Sequence, residues 1–170
     1  MTAGSTGRTP ARCGVGARVL GVDPGLVATG YGVLEQGAAG PRALAQGTIR
    51  PPRGAALPDR LQAIHAELVR VVASYDPQVV AVEEVFLARN APAAMLTAQV
   101  LGVVKLAATG RTLRSYAPRE VKKWICGTGS ARKEQMMRMM AHLLRGGPAG
   151  SDHAADALAV ALCALLDGGP

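Results

Sequence analysis

Four side chains in this sequence have the type and spacing to hold a divalent cation together: Asp23, Glu83, His153 and Asp156. Asp23 closes a short apolar run, Val19, Leu20 and Val22, and Pro24-Gly25 turns the chain directly after it. Glu83 stands near the end of a second apolar run, QVVAVEE, from Gln78 to Glu84. His153 and Asp156 lie three apart in an Ala-rich stretch of helical spacing, so they share a face; Asp152 and Asp156, four apart, share one as well. Strand ends and the first turn of a helix can bring such groups into one cleft. Oxygen donors with at most one imidazole suit Mg²⁺ or Mn²⁺ rather than zinc. Two such ions, roughly 3.5–4 Å apart, could activate a water and stabilise the leaving oxygen of a phosphodiester. Each residue taken alone has a plainer explanation. Asp23 can cap its turn, Asp152 is a favourable charge at a helix N-terminus, and His153 can be a surface residue there. Together, on a helix otherwise rich in alanine, they favour a site.

The elements that must position these groups follow from periodicity and breakers. Arg18 to Leu34 reads as a buried strand, a turn and a second strand antiparallel to it, with Gly30 and Gly32 leaving room for a close neighbour. Arg42 to Ile49 extends this into a meander. Leu57, Leu61, Ile64, Leu68 and Val71 recur at helical spacing, to about Ser74, behind Pro58 in the first turn. The run at Gln78–Glu84 is apolar on both faces, as in a central parallel strand, with Val79, Ala81 and Glu83 on one side. A nearly all-apolar helix spans Pro92 to Ala108, and its second face calls for a second subunit or a covering helix of the same chain. A fifth strand, Thr112–Tyr116, precedes a helix from Pro118 through Trp124. Ser130 is the expected cap of a helix carrying Met136, Met137, Met140, Leu143 and Leu144, a stripe most simply read as core. Ser151 caps the last helix, whose inner face is Leu158, Ala161, Leu162 and Leu165. The order predicts an α/β domain with a mixed sheet.

Composition narrows the function. At 170 residues, 49% apolar, the chain is expected to form one globular domain from about 18 to 166, after a Gly-, Thr- and Ala-rich leader over 1–17 expected to be disordered, and before a short tail, 167–170. Net charge is +7, and residues 111–145 hold nine Lys and Arg against two acids, whereas 146–170 hold three acids and no cation. A basic block beside an acidic cluster is the pattern of a polyanion-binding surface next to a cation site. Cys13, Cys126 and Cys163 form no metal-ligand pair, no apolar run is long enough to span a membrane, and a reducing cytoplasm is expected. Phe86, the sole Phe, stands three residues after Glu83 and before Ala88-Arg89-Asn90, which reads as an exposed loop. It is either a core plug or an aromatic that stacks on a nucleobase.

Four segments together carry a resemblance: GVDPG around Asp23, TGYGV at Thr29–Val33, VEEVF at Val82–Phe86 and HAADALAVA at His153–Ala161. In this order and spacing they resemble the RuvC family of Holliday junction resolvases, over about residues 18–166. The resemblance implies a ribonuclease H-like fold, a five-stranded mixed sheet flanked by helices. It implies a homodimer that resolves four-way DNA junctions by paired nicks, in recombination and repair, with Mg²⁺ or Mn²⁺, two ions per site. It places metal ligands at Asp23, Glu83, His153 and Asp156, where many members have Asp at the position of His153. It places the base-stacking aromatic at Phe86, beside Arg89 and Asn90, and the DNA-contacting lysines at Lys122 and Lys133. A junction-migrating helicase complex is a candidate partner. The fold and acids alone would also allow a ribonuclease H-like nuclease on RNA or hybrids. A non-catalytic junction-binding protein is disfavoured because all four ligand positions are filled. An actin-like sugar kinase would need a second lobe for which 170 residues leave no room.

Overall fold

Arg18–Asp23 forms β1, in which Val19, Leu20 and Val22 are all buried. The structure, a computed structural model, describes residues 14–84, 91–144 and 151–168. The Pro24-Gly25 turn is closed by the Thr29 hydroxyl, which donates to the Gly25 carbonyl at 2.7 Å. β2 (Thr29–Gly37) then runs antiparallel to β1, and β3 (Gly40–Ile49) antiparallel to β2. α1 (Leu57–Tyr75) starts with Pro58 in its first turn and ends at Asp76, which adopts the left-handed conformation (φ 46°) that Asp tolerates better than most residues. β4 (Val79–Glu83) returns parallel to β1. α2 (Ala91–Ala107), β5 (Thr112–Tyr116), α3 (Pro118–Cys126), α4 (Lys133–Leu143) and α5 (Asp152–Leu166) follow. The sheet order is β3-β2-β1-β4-β5, the five-stranded mixed sheet expected from the sequence.

Two cores flank this sheet. Leu20, Val22, Val80 and Val82 face α1 and α2, while Val19, Val79 and Ala81 face α5, with α3 and α4 closing over it. β4 thus divides its side chains as the period of two requires, and Glu83 falls on the α5 side. α5 is buried well beyond its expected inner face, because α3 and α4 cover its outer side: Ala154, Ala155 and Ala157 to Leu165 are all buried.

Some boundaries differ from expectation. Ahead of β1, within the expected leader, the Gly16 N–H donates to the Gln36 carbonyl of β2 at 2.7 Å. Ser130 does not cap α4. The helix starts at Lys133, where the Gln135 side chain accepts from the Arg132 N–H at 2.8 Å, and Ser130 shares a hydrogen bond with Thr128 instead. α2 packs one face on α1 and leaves the other open, with Met95 62% and Leu106 63% exposed, so among the described residues no helix of the chain covers it. Among the described residues no helix is long and apolar enough to cross a membrane.

α5 sits directly on backbone. A Cβ at Gly21 would collide with the Ala157 carbonyl, one at Gly30 with the His153 carbonyl, and one at Gly32 with the Leu158 side chain. The sequence pointed to Gly30 and Gly32 as close-approach positions; Gly21 completes the track. Because rigid backbone, not a flexible side chain, meets the new atom, Gly30→Ala should destabilise the protein by at least about 1–3 kcal/mol, the usual cost of overpacking. Urea denaturation checks this, and an unchanged midpoint would show that α5 does not rest on the sheet here.

Candidate active site

The sheet register assembles the site. Asp23 pairs across with Gly30, and Gly30 with Thr48. Val22 pairs with Val82 in the parallel ladder, so Asp23 and Glu83 are each the next residue along, at the ends of adjacent strands. Thr48, Gly30, Asp23 and Glu83 therefore form one row across the sheet, and the first turn of α5 lies on it. The Ser151 hydroxyl caps α5 by accepting from the Ala154 N–H at 3.3 Å, and it is hydrogen-bonded to the Thr48 hydroxyl. The bare backbone of Gly30 admits the His153 carbonyl. His153 Nδ1 then lies 2.7 Å from Asp23 Oδ2. An ionised carboxylate can only accept, so the ring donates from Nδ1; a neutral ring in this tautomer presents the Nε2 lone pair that a metal ligand needs.

Glu83 and Asp156 complete the cluster. The Glu83 carboxyl is held above the usual carboxylate range, first by burial and then by the charges of Asp23 and Asp156, with Lys122 opposing. Asp156 is likewise raised, first by burial, while Lys133 opposes and Asp23 and Asp152 add to the shift. Glu84 is exposed, which separates it from Glu83. Three carboxylates with one imidazole carry a negative charge that Lys122 and Lys133 offset only in part, and a hard divalent cation is the group that fits such a donor set. The shell is not closed: among the described residues no three His, Cys, Asp or Glu side chains are already gathered around one centre. The Glu83 and Asp156 carboxyls are within electrostatic reach of each other and of Asp23.

The lysines lie alongside. Lys122 on α3 and Lys133 on α4 line, with Glu83 and Asp156, a cavity of about 240 Å³. Lys133 Nζ also pairs with Asp152 at 3.0 Å, at the protein surface. Asp152 therefore faces Lys133, whereas His153 faces Asp23. The methionine stripe divides. Met140 is core, 1% exposed, but Met136 and Met137 are half-buried and line the same cavity. Periodicity could not separate these roles, because a helix face that lines a cavity has the same spacing as one that fills a core. Ser151 and Thr48 were also missed as a pair; the cap was legible, its cross-chain partner was not. Phe86, Arg89 and Asn90 lie outside the described residues.

A mixed five-stranded sheet with acids at the ends of its first and fourth strands and on its last helix defines the class of ribonuclease H-like nucleases. The profile of "Crossover junction endodeoxyribonuclease RuvC" matches residues 19–164. The Parvibaculum lavamentivorans protein of that description is 45% identical over 148 residues, 85% of this chain and 83% of its own. Thermus thermophilus RuvC superposes with a TM-score of 0.80 at 33% identity, over 88% of this chain and 93% of that one. The same protein in complex with Holliday junction substrate gives 0.81 at 34% identity, over 86% and 92%. The chain belongs to the RuvC family, a family of metal-dependent nucleases.

In metal-free protein the sign of the carboxyl effect is set. Groups that hold protons more tightly when folded cost stability above their folded-state titration, and that cost is relieved as pH falls through it. Glu83→Gln should therefore raise the melting temperature at neutral pH in chelator, and should lose most of the rise that Mn²⁺ gives the wild type. Thermal melts with and without Mn²⁺ check both. A Glu83→Gln protein that melts lower in chelator would show that Glu83 is held by favourable contacts, not by repulsion.

Proposed function

We infer that this protein resolves four-way DNA junctions, in recombination and repair, by paired metal-dependent nicks. The observation that carries this is the convergence of Asp23, Glu83, His153 and Asp156 at one end of a sheet beside a lysine-rimmed cavity, in a chain whose 34%-identical relative was solved with Holliday junction substrate. Asp23, Glu83 and Asp156 would supply oxygen donors, and His153 a ring nitrogen, to Mg²⁺ or Mn²⁺, two ions per site in this reading. When bound, the ions supply Lewis-acid activation of water and stabilise the departing oxygen. Asp23 also orients the His153 ring through Nδ1, as carboxylates do for ligating imidazoles. Partial burial lowers the local dielectric around Glu83 and Asp156, which strengthens their hold on a cation.

Lys122 and Lys133 grip the backbone phosphates beside the acids, fixing the strand without reading its sequence. Phe86, three residues after Glu83, receives a displaced base, with Arg89 and Asn90 nearby in the chain. The open face of α2 is the two-fold interface, which would give two sites for two opposed strands. A junction-migrating helicase complex is a further candidate partner, and action on DNA fits the cytoplasm. Nothing favours RNA or hybrid substrates.

Incubation with a synthetic four-way junction and Mg²⁺ or Mn²⁺, mapping nicks on all four strands, tests the reading. Paired nicks at symmetric positions are expected; no nicks, or equal cutting of linear duplex, would contradict it. Asp23→Asn should lose cleavage by several orders of magnitude while junction affinity stays within a few-fold, as gel shift in Ca²⁺ can measure. Replacing Lys122 or Lys133 with Ala should weaken binding across sequences and flatten the log–log salt dependence by about one unit. Unchanged slopes for both would move the DNA surface elsewhere. Sedimentation should find a dimer for the wild type and a folded monomer for Met95→Asp combined with Leu106→Asp. A wild-type monomer at high concentration would remove α2 as the interface.

A further inference from the structure

We propose that the cavity between α3, α4 and α5 is a nucleobase pocket, which takes one unstacked base of the strand being cut. The proposal rests on the junction-resolving reading and adds a second base contact, separate from Phe86. Three observations carry it. The cavity, about 240 Å³, opens from the acid cluster itself, since Glu83 and Asp156 form part of its wall. A nucleotide whose phosphate lies over those acids has its base within reach of the cavity. The interior is apolar, lined by Val121, Met136, Met137, Met140 and Val160. Thioether sulfurs are polarisable and favour aromatic faces. The chain is 3% aromatic, so among the described residues methionine is what this site has for contacting a flat ring. The third observation is the charge at the wall. Lys122 and Lys133 line the same cavity. An apolar slot with two cations at its side suits a flat apolar ring carried on an anionic backbone, which is a base flanked by phosphates. An aliphatic ligand would leave both lysines unused, and a free anion would leave the methionines so.

Such a pocket gives Met136 and Met137 a reason to remain half-buried beside a fully buried Met140. It also gives the enzyme a way to hold the cut strand on the side of the acids that α3 and α4 cover. A ring drawn between the methionines would fix the sugar-phosphate torsions next to the scissile bond. Ala159, which lines the cavity from α5, is the position at which a larger side chain would fill it.

The test uses synthetic junctions that carry a single abasic residue at each of several positions around the mapped nick. With wild-type protein, one position besides any that depends on Phe86 should lose about tenfold in cleavage rate at subsaturating junction, the scale of one lost base stack. Met137→Gln, which keeps the length of the side chain, should cut the parent junction more slowly and show little further loss at that position. Ala159→Leu should behave in the same way by occupying the space, so either variant alone suffices if the other fails to fold. If the abasic residue costs wild type and both variants equally at every position, the pocket is overturned and the resolvase reading stands. If wild-type protein leaves the parent junction uncut in Mn²⁺, that reading fails and the pocket fails with it.

Discussion

The contact on which this molecule depends is the approach of α5 to the bare backbone of β1 and β2. Gly21, Gly30 and Gly32 remove the side chains that would hold the helix away, and the Ala157 and His153 carbonyls occupy the space. Helices normally pack on sheets through interlocking side chains. Here the distance is set by backbone, which has no rotamers with which to adjust. That rigidity serves the site. His153 and Asp156 ride on the first turn of α5, Asp23 ends the strand below, and the 2.7 Å approach of His153 Nδ1 to Asp23 exists because the helix is down. The Ser151–Thr48 hydrogen bond pins the same turn to β3. Core packing and site assembly are one interaction.

The electrostatics follow from that geometry. Burial first, and then the charges of neighbouring carboxylates, hold Glu83 and Asp156 above their ordinary range and oppose folding while no cation is bound. Lys122 and Lys133 offset part of this, and they belong to the basic block that makes residues 111–145 so unlike the acidic end of the chain. The helix pair α3–α4 has two tasks in consequence. It covers α5 from outside, completing the core, and it brings cations to the rim of an anionic site. A basic surface of this kind raises the local concentration of polyanions beside the acid cluster.

Much of this was legible in the sequence because local signals and global fold agree. Strand β5 was placed at its observed ends, and the alternation along β4 put Glu83 on the correct face. The pairing of His153 with Asp156 on one helix face needed only the helical repeat. Gly30 and Gly32 were legible as close approaches, since glycine inside a strand has few other uses. Less legible were features that depend on two distant segments. The Thr48–Ser151 link spans the chain. The preference of Asp152 for Lys133 depends on where α4 begins, and Ser130, a plausible cap, was displaced by Gln135 closing on Arg132. Met136, Met137 and Met140 share one periodicity but have two roles, because only the packed structure shows where α3, α4 and α5 stop short of filling the space between them.

Whether the approach of α5 to the sheet assembles the proposed cation site can be tested without touching a candidate ligand. Gly21 lies under Ala157 and Ala161, one turn beyond His153 and Asp156, so Gly21→Ala lifts the helix while keeping all four candidate ligands. Mn²⁺ affinity of wild type and Gly21→Ala should be measured by electron paramagnetic resonance, at a temperature where circular dichroism shows both folded. The account predicts at least a tenfold weaker affinity for Gly21→Ala, the low end of what displaced ligand orientation costs. A folded Gly21→Ala protein that binds Mn²⁺ as tightly as wild type would contradict it.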